Sequence, residues 1–144
     1  MATTKTAQHV RHGDVLLETV DGLPESAKKM GDVCQCKAFA PCAKHLVFAH
    51  GEVSGHVHQA LGDLEFYEDE DGTLYAKNVG TVPAHVVQAH GLAELKDIEH
   101  LERCYVKEGL HAPIRDAVAP GVTVKVVFPR EFNWASGEIE RARD

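Results

Sequence analysis

Ten histidines and four cysteines are spread over 144 residues, and two stretches concentrate them. The first is His50-Gly-Glu-Val-Ser-Gly-His56-Val-His58. In a strand, side chains alternate between faces, so His56 and His58 project from the same face and their ring nitrogens can converge on one ion. Neutral imidazole is the commonest protein ligand for transition metals. Gly55 ahead of the pair permits a bulge or bend that would aim it. One strand rarely encloses an ion, so a further ligand must come from elsewhere. His111, in Leu110-His111-Ala112-Pro113, is the first candidate. His85, His90 and His100 compete with it, and His9 and His12 read as incidental. Glu52 is near enough in sequence to be a ligand or a general base toward metal-bound water. The plainer readings are a solvated strand face for His56 and His58, and surface loops for His111 and Glu52.

The second stretch is Cys34-Gln-Cys36-Lys-Ala-Phe-Ala-Pro-Cys42-Ala-Lys-His45, three thiols and an imidazole within twelve residues. A thiolate-rich tetrahedral set suits zinc. Pro41 lies in a tight loop that would bring Cys36 and Cys42 together. The first spacing is Cys-x-Cys, where structural zinc sites usually have Cys-x-x-Cys. Three readings stay open: small cysteines in a loop, a zinc knuckle, or a disulfide or redox pair with Cys104 as a partner. Cys104 sits near the apolar stripe of an expected helix and reads as a core residue.

The elements that must hold these residues are mostly strands. Apolar or alternating runs over 14–20, 46–49, 56–61, 64–68, 73–79, 81–88 and 122–128 are punctuated by Gly, Pro and Asp. Glu68-Asp69-Glu70-Asp71-Gly72 reads as a solvated hairpin tip. One segment breaks the rhythm: Leu92, Leu95, Ile98 and Leu101 recur every three residues, Tyr105 follows, and charges lie between them. That pattern predicts an amphipathic helix of about three turns. A short C-terminal helix is expected over 135–142, and residues 1–11 read as loose. The expectation is a single mainly-β domain over 1–144, an antiparallel sandwich or small barrel with one inserted helix and a Cys-rich loop at 33–45.

Hydrophobic residues at 44% and charged residues at 26% are the balance of a soluble domain. A net charge of −7 speaks against a duplex nucleic-acid binder, which needs clustered Lys and Arg. No apolar run approaches the roughly 18 residues of a membrane span. The opening MATTKTAQHVRHGD lacks the apolar core of a signal peptide, so a cytoplasmic location is expected. No nucleophile elbow, Walker A or Rossmann glycine pattern is present.

The His56-x-His58 pair, followed by Asp63 and Glu65 and a distant His111, resembles half of a cupin motif over residues 51–72. Cupins carry such a pair, then an acidic residue, then a remote histidine. Here Asp63 stands where that family usually has glutamate, the glycine before the pair is off the family's spacing, and no proline–glycine pattern precedes His111. The resemblance implies a cupin-like barrel with a metal held by His56, His58 and His111. A broader series, HGDVLLETVDGLP, AHGEVSGHVHQ, GDLEFYEDEDGTLYAKN, HAPI and PGVTVKVVFPREFNW, resembles small uncharacterised proteins of phages and bacteria. It implies the same three histidines and no activity, and the cysteine and helical segments look like insertions relative to it.

The sequence therefore leads to a divalent transition-metal domain built on a histidine cluster. Zinc is the first choice of metal, with iron, nickel or manganese as alternatives. Such a metal could activate water or a small substrate, as in a hydrolase or oxygenase. The competing expectation is a non-catalytic, metal-stabilised module that self-associates or joins a larger particle such as a phage structure. Metal storage or delivery is a third.

Overall fold

The computed structural model describes residues 9–13, 15–50, 56–128, 130–133 and 138–141. In chain order its strands are β1 (His9–His12), β2 (Val15–Val20), β3 (Lys28–Lys29), β4 (Val47–His50), β5 (Val57–Leu61), β6 (Leu64–Glu68), β7 (Leu74–Asn78) and β8 (Ala84–Ala89). The helix α1 (Ile98–Cys104) follows, then β9 (Ile114–Val118), β10 (Thr123–Val127), β11 (Arg130–Asn133) and β12 (Glu138–Arg141). One sheet has the order β1-β2-β10-β7-β6-β3, the second β4-β5-β8-β9, and β11 pairs with β12. The pairings are antiparallel, and the two larger sheets are open, so the fold is sandwich-like and not a closed barrel. Among the described residues no helix is long and apolar enough to cross a membrane.

Period-two patterning builds the core. Val15 and Leu17 of β2, Phe66 of β6, Ala76 of β7 and Val124 and Val126 of β10 form one apolar face. Phe48, Ala60, Ala84, Val86 and Val118 oppose them from the other sheet. Phe48 and Phe66 stack across the two sheets with ring centroids 5.3 Å apart and planes at 20°.

The four-stranded sheet is covered on both faces, which is why all five residues of β5 are buried. Ala60 faces the sandwich core. Leu61, with Val87 and Ala89 of β8, packs on Ile98 and Leu101 of α1 and on Leu110. Val57 packs on Cys42 and Val47, with Cys36 against them. The helix and the cysteine segment thus share the outer face of one sheet.

The acidic tip is a hairpin turn: the Asp69 N–H donates to the Thr73 carbonyl and the Gly72 N–H to the Asp69 carbonyl, both at 2.9 Å. The inserted helix is shorter than its apolar stripe predicts. Glu94 and Asp97 form a capping box, in which the Asp97 carboxylate accepts the Glu94 N–H at 2.7 Å. That box fixes the start, so Leu92 stays outside; a 3-10 turn over Leu95–Asp97 leads into α1. Two other expectations change. Residues 9–11, read as loose, belong to β1, which runs along β2. The expected C-terminal helix is replaced over Glu138–Arg141 by β12, with Ile139 opposite Phe132. A lone apolar residue between glutamates carries a period of two as well as it carries a helix.

Candidate metal centre

The cysteine segment closes on itself through a tight hairpin. Cys42 and Val47 exchange both backbone hydrogen bonds, each 2.9 Å. His45 stands in the four-residue loop between them, and Leu46 takes a left-handed φ of 55° to complete the turn. Upstream, Cys36 opens a 3-10 turn, Cys36–Ala38, ended by Phe39 at φ 57°. The Gln35 N–H donates to the Cys42 sulfur at 3.4 Å.

These turns bring four donors together. The Sγ atoms of Cys34, Cys36 and Cys42 lie 3.4, 3.4 and 3.5 Å from Nδ1 of His45. All four donor atoms fall within 4.8 Å of one another, and the cluster could hold a metal ion. One imidazole nitrogen has one proton or one lone pair, so it cannot hydrogen-bond to three sulfurs at once. Near-equal spacing around it instead describes the vertices of a polyhedron with a common centre. With Zn–S near 2.3 Å and Zn–N near 2.0–2.1 Å, tetrahedral geometry puts each sulfur about 3.6 Å from the nitrogen. The observed spacing is within about 0.2 Å of that value.

The thiols are not equivalent. Burial, and then bonding to the neighbouring Cys42 and Cys34 sulfurs, pushes Cys36 up to about 12. Burial opposes ionisation at Cys42 too, but the Gln35 and His45 N–H groups, the Cys36 thiol and the His45 ring outweigh it and bring Cys42 down to about 6. A thiolate at Cys42 is the natural first ligand, and further coordination displaces protons from its neighbours. All four cysteines of the chain are free thiols, Cys104 on α1 included.

The domain of unknown function DUF8820 matches residues 11–110 of the chain. The chain belongs to the DUF8820 family. No curated protein and no solved structure matches it. The DUF8820 match contains the four donors and the strands β4 and β5 that carry them, so the centre lies inside the matched region, while β9 and β10 lie beyond it.

In this DUF8820 domain the centre is tied to the sheet by Gln59, which sequence reasoning passed over. Gln59 is buried on the outer face of β5. Its amide nitrogen donates to the carbonyls of His45 at 3.0 Å and Ala93 at 3.1 Å, and its oxygen accepts the Ala93 N–H at 2.8 Å. One side chain therefore links a metal donor's backbone to the start of the helical segment. The available signal was a glutamine inside an apolar strand, the mark of a strand covered on both faces. Replacing Gln59 by Leu strands buried backbone groups at both ends, at about 1–3 kcal/mol for each group left unpaired. The expected result is a domain destabilised by about 2–4 kcal/mol in urea, with weakened metal retention. A variant as stable as wild type would show that the glutamine is not the link.

The histidines fall into separate groups. His58 and His111 come together, with ring centroids 6.2 Å apart, and His12 joins them. His56 precedes β5 and lies against His90, centroids 4.5 Å apart. His85 accepts the Asp116 N–H at 2.9 Å, and His100 lies 3.7 Å from the Glu108 carboxylate. His50 is buried beside the Phe39 ring, and burial pushes its pKa down despite a bond to the Ala40 carbonyl. Asp63 sits in the turn after β5, and Glu65 pairs with Lys29 at 2.5 Å. Glu52 lies outside the described residues.

Proposed function

We propose that this protein is a metal-stabilised β module in which Cys34, Cys36, Cys42 and His45 bind one zinc ion as a structural centre. The observation that carries this reading is the placing of three sulfurs at 3.4–3.5 Å from a single imidazole nitrogen. Thiolate-rich sets favour zinc over the harder divalent ions. Four protein donors fill a tetrahedral sphere and leave no position for substrate, which is the pattern of structural and not catalytic zinc. The ion would staple the segment between β3 and β4 onto the outer face of β4 and β5.

Replacing Cys34, Cys36 and Cys42 together by serine is expected to lower the zinc content of tag-free protein by one equivalent, measured by elemental analysis against protein concentration. Unchanged stoichiometry would contradict the reading.

A further inference from the structure

Three histidines from three elements meet on the face of β5 opposite the one that carries the cysteine centre. His12 ends β1 at the edge of the six-stranded sheet, His58 belongs to β5 of the other sheet, and His111 precedes β9. Their ring centroids form a triangle with sides of 5.2 Å (His12–His58), 5.7 Å (His12–His111) and 6.2 Å (His58–His111). His12 and His58 are 2% and 0% exposed, while His111 is exposed, so the group opens to solvent on one side. The two Nδ1 atoms of His12 and His58 are 3.1 Å apart.

We propose that His12, His58 and His111 form a second metal site, for a divalent transition metal that favours imidazole, with a coordination position left toward solvent. The cysteine centre plays no part in this. Two imidazoles on a tetrahedral ion at about 2.0–2.1 Å hold their nitrogens about 3.3 Å apart and their ring centres about 5.2 Å apart. His12 and His58 already stand at this spacing. The His111 centroid is about 0.5–1 Å further out, and its ring must turn as well as move inward to bring a nitrogen to this spacing.

The hydrogen bonds around the pair show what the metal replaces. Nε2 of His12 is 3.0 Å from the Ala112 carbonyl, which only accepts, so that nitrogen carries the proton and Nδ1 faces His58 with its lone pair. Gln88 accepts the His111 backbone N–H on Oε1 at 2.7 Å, which turns its NH2 toward Nε2 of His58, 3.3 Å away. His58 therefore keeps its proton on Nδ1, between the two rings. A metal takes that proton's place. The proton moves to Nε2 of His58, so the ring stays neutral and none is released. Gln88 then turns to offer Oε1 to the new N–H. The turn costs the bond that Gln88 makes to the His111 backbone N–H. Gln88 is a positioning residue that couples tautomer to loop. Three neutral imidazoles and an open position are the donor set that makes bound water acidic on zinc.

The test titrates tag-free protein carrying one zinc equivalent with cobalt(II), which does not displace zinc from its tighter site. A second equivalent is expected to bind, with d–d absorption and without sulfur-to-cobalt charge transfer. His58→Ala and His111→Ala are each expected to weaken it by at least about tenfold while the zinc stays bound. Gln88→Glu is expected to tighten it, because a carboxylate accepts from both the His58 Nε2–H and the His111 N–H. His58 is fully buried, so the exposed His111→Ala variant is the deciding one, with circular dichroism as the fold control. No second equivalent in wild type, or unchanged affinity in His111→Ala, would overturn the proposal.

Discussion

Chelating the ion at the Cys34–His45 centre is expected to lower the thermal unfolding midpoint by on the order of 10 °C. The segment between β3 and β4 is anchored at its ends by Met30 and Leu46 against the core and by Cys36 and Cys42 against Val57. Between them it carries one 3-10 turn and the Cys42–Val47 bridge, and Val33 and Phe39 are 68% and 71% exposed. Ordering a residue costs roughly 1–2 kcal/mol, so the stretch Cys34–His45 costs about 12–24 kcal/mol. Structural zinc in small peptides supplies about 10–16 kcal/mol, the same size. The ion would therefore offset much of the ordering cost, which packing of Cys36 and Cys42 on Val57 shares. At roughly 3 °C per kcal/mol for a domain this long, a net contribution of about 3 kcal/mol gives the expected shift. Cys42→Ser should act in the same direction, since its sulfur is fully buried and bonded to the Gln35 N–H. Calorimetry with and without chelator checks the effect. A midpoint that moves by less than about 2 °C would mean that the segment is held by packing alone.

Phe66→Ala is expected to cost about 3–5 kcal/mol. Phe66 is 1% exposed and stacks on Phe48 across the interface between the sheets. Truncation removes the buried ring area, the pairing of two aromatic rings at about 0.5–1.5 kcal/mol, and the neighbours' contacts around the cavity left behind. Val86 and Val124 of the same core are β-branched and set in strands, which limits how far the core can collapse into the space. Urea denaturation should show a lower midpoint at unchanged slope, with zinc stoichiometry preserved, because this core and the cysteine centre share no residue. A loss below about 1.5 kcal/mol would show that the two sheets do not depend on this stack.

Strand β6 was legible in the sequence residue for residue because one of its faces is solvated and Leu64 and Phe66 alternate with Glu65 and Tyr67. β5 was legible as apolar but not as doubly covered, since that depends on which distant segments lie over it. The capping box that shortens the helix was present as Glu94-x-x-Asp97 and outweighs the apolar spacing upstream of it. The four donors of the candidate centre could be named from composition and spacing, but their convergence depends on the Cys42–Val47 hairpin. His12 was out of reach, because only the pairing of β1 with β2 carries it to His58, 46 positions away. His58 and His111 could be grouped as rare residue types. Gln59 was visible only as a polar residue in an apolar strand, and its partners, like those of Gln88, are set by tertiary packing.

X-ray absorption at the zinc edge of tag-free protein, grown with zinc supplied, tests the central claim most directly. A Cys3His centre predicts a first shell dominated by three sulfurs near 2.3 Å, with a nitrogen near 2.0–2.1 Å. The sulfur shell should disappear in the Cys34, Cys36 and Cys42 triple serine variant. A first shell of nitrogen and oxygen alone in the wild-type protein would contradict a zinc ion at Cys34, Cys36, Cys42 and His45.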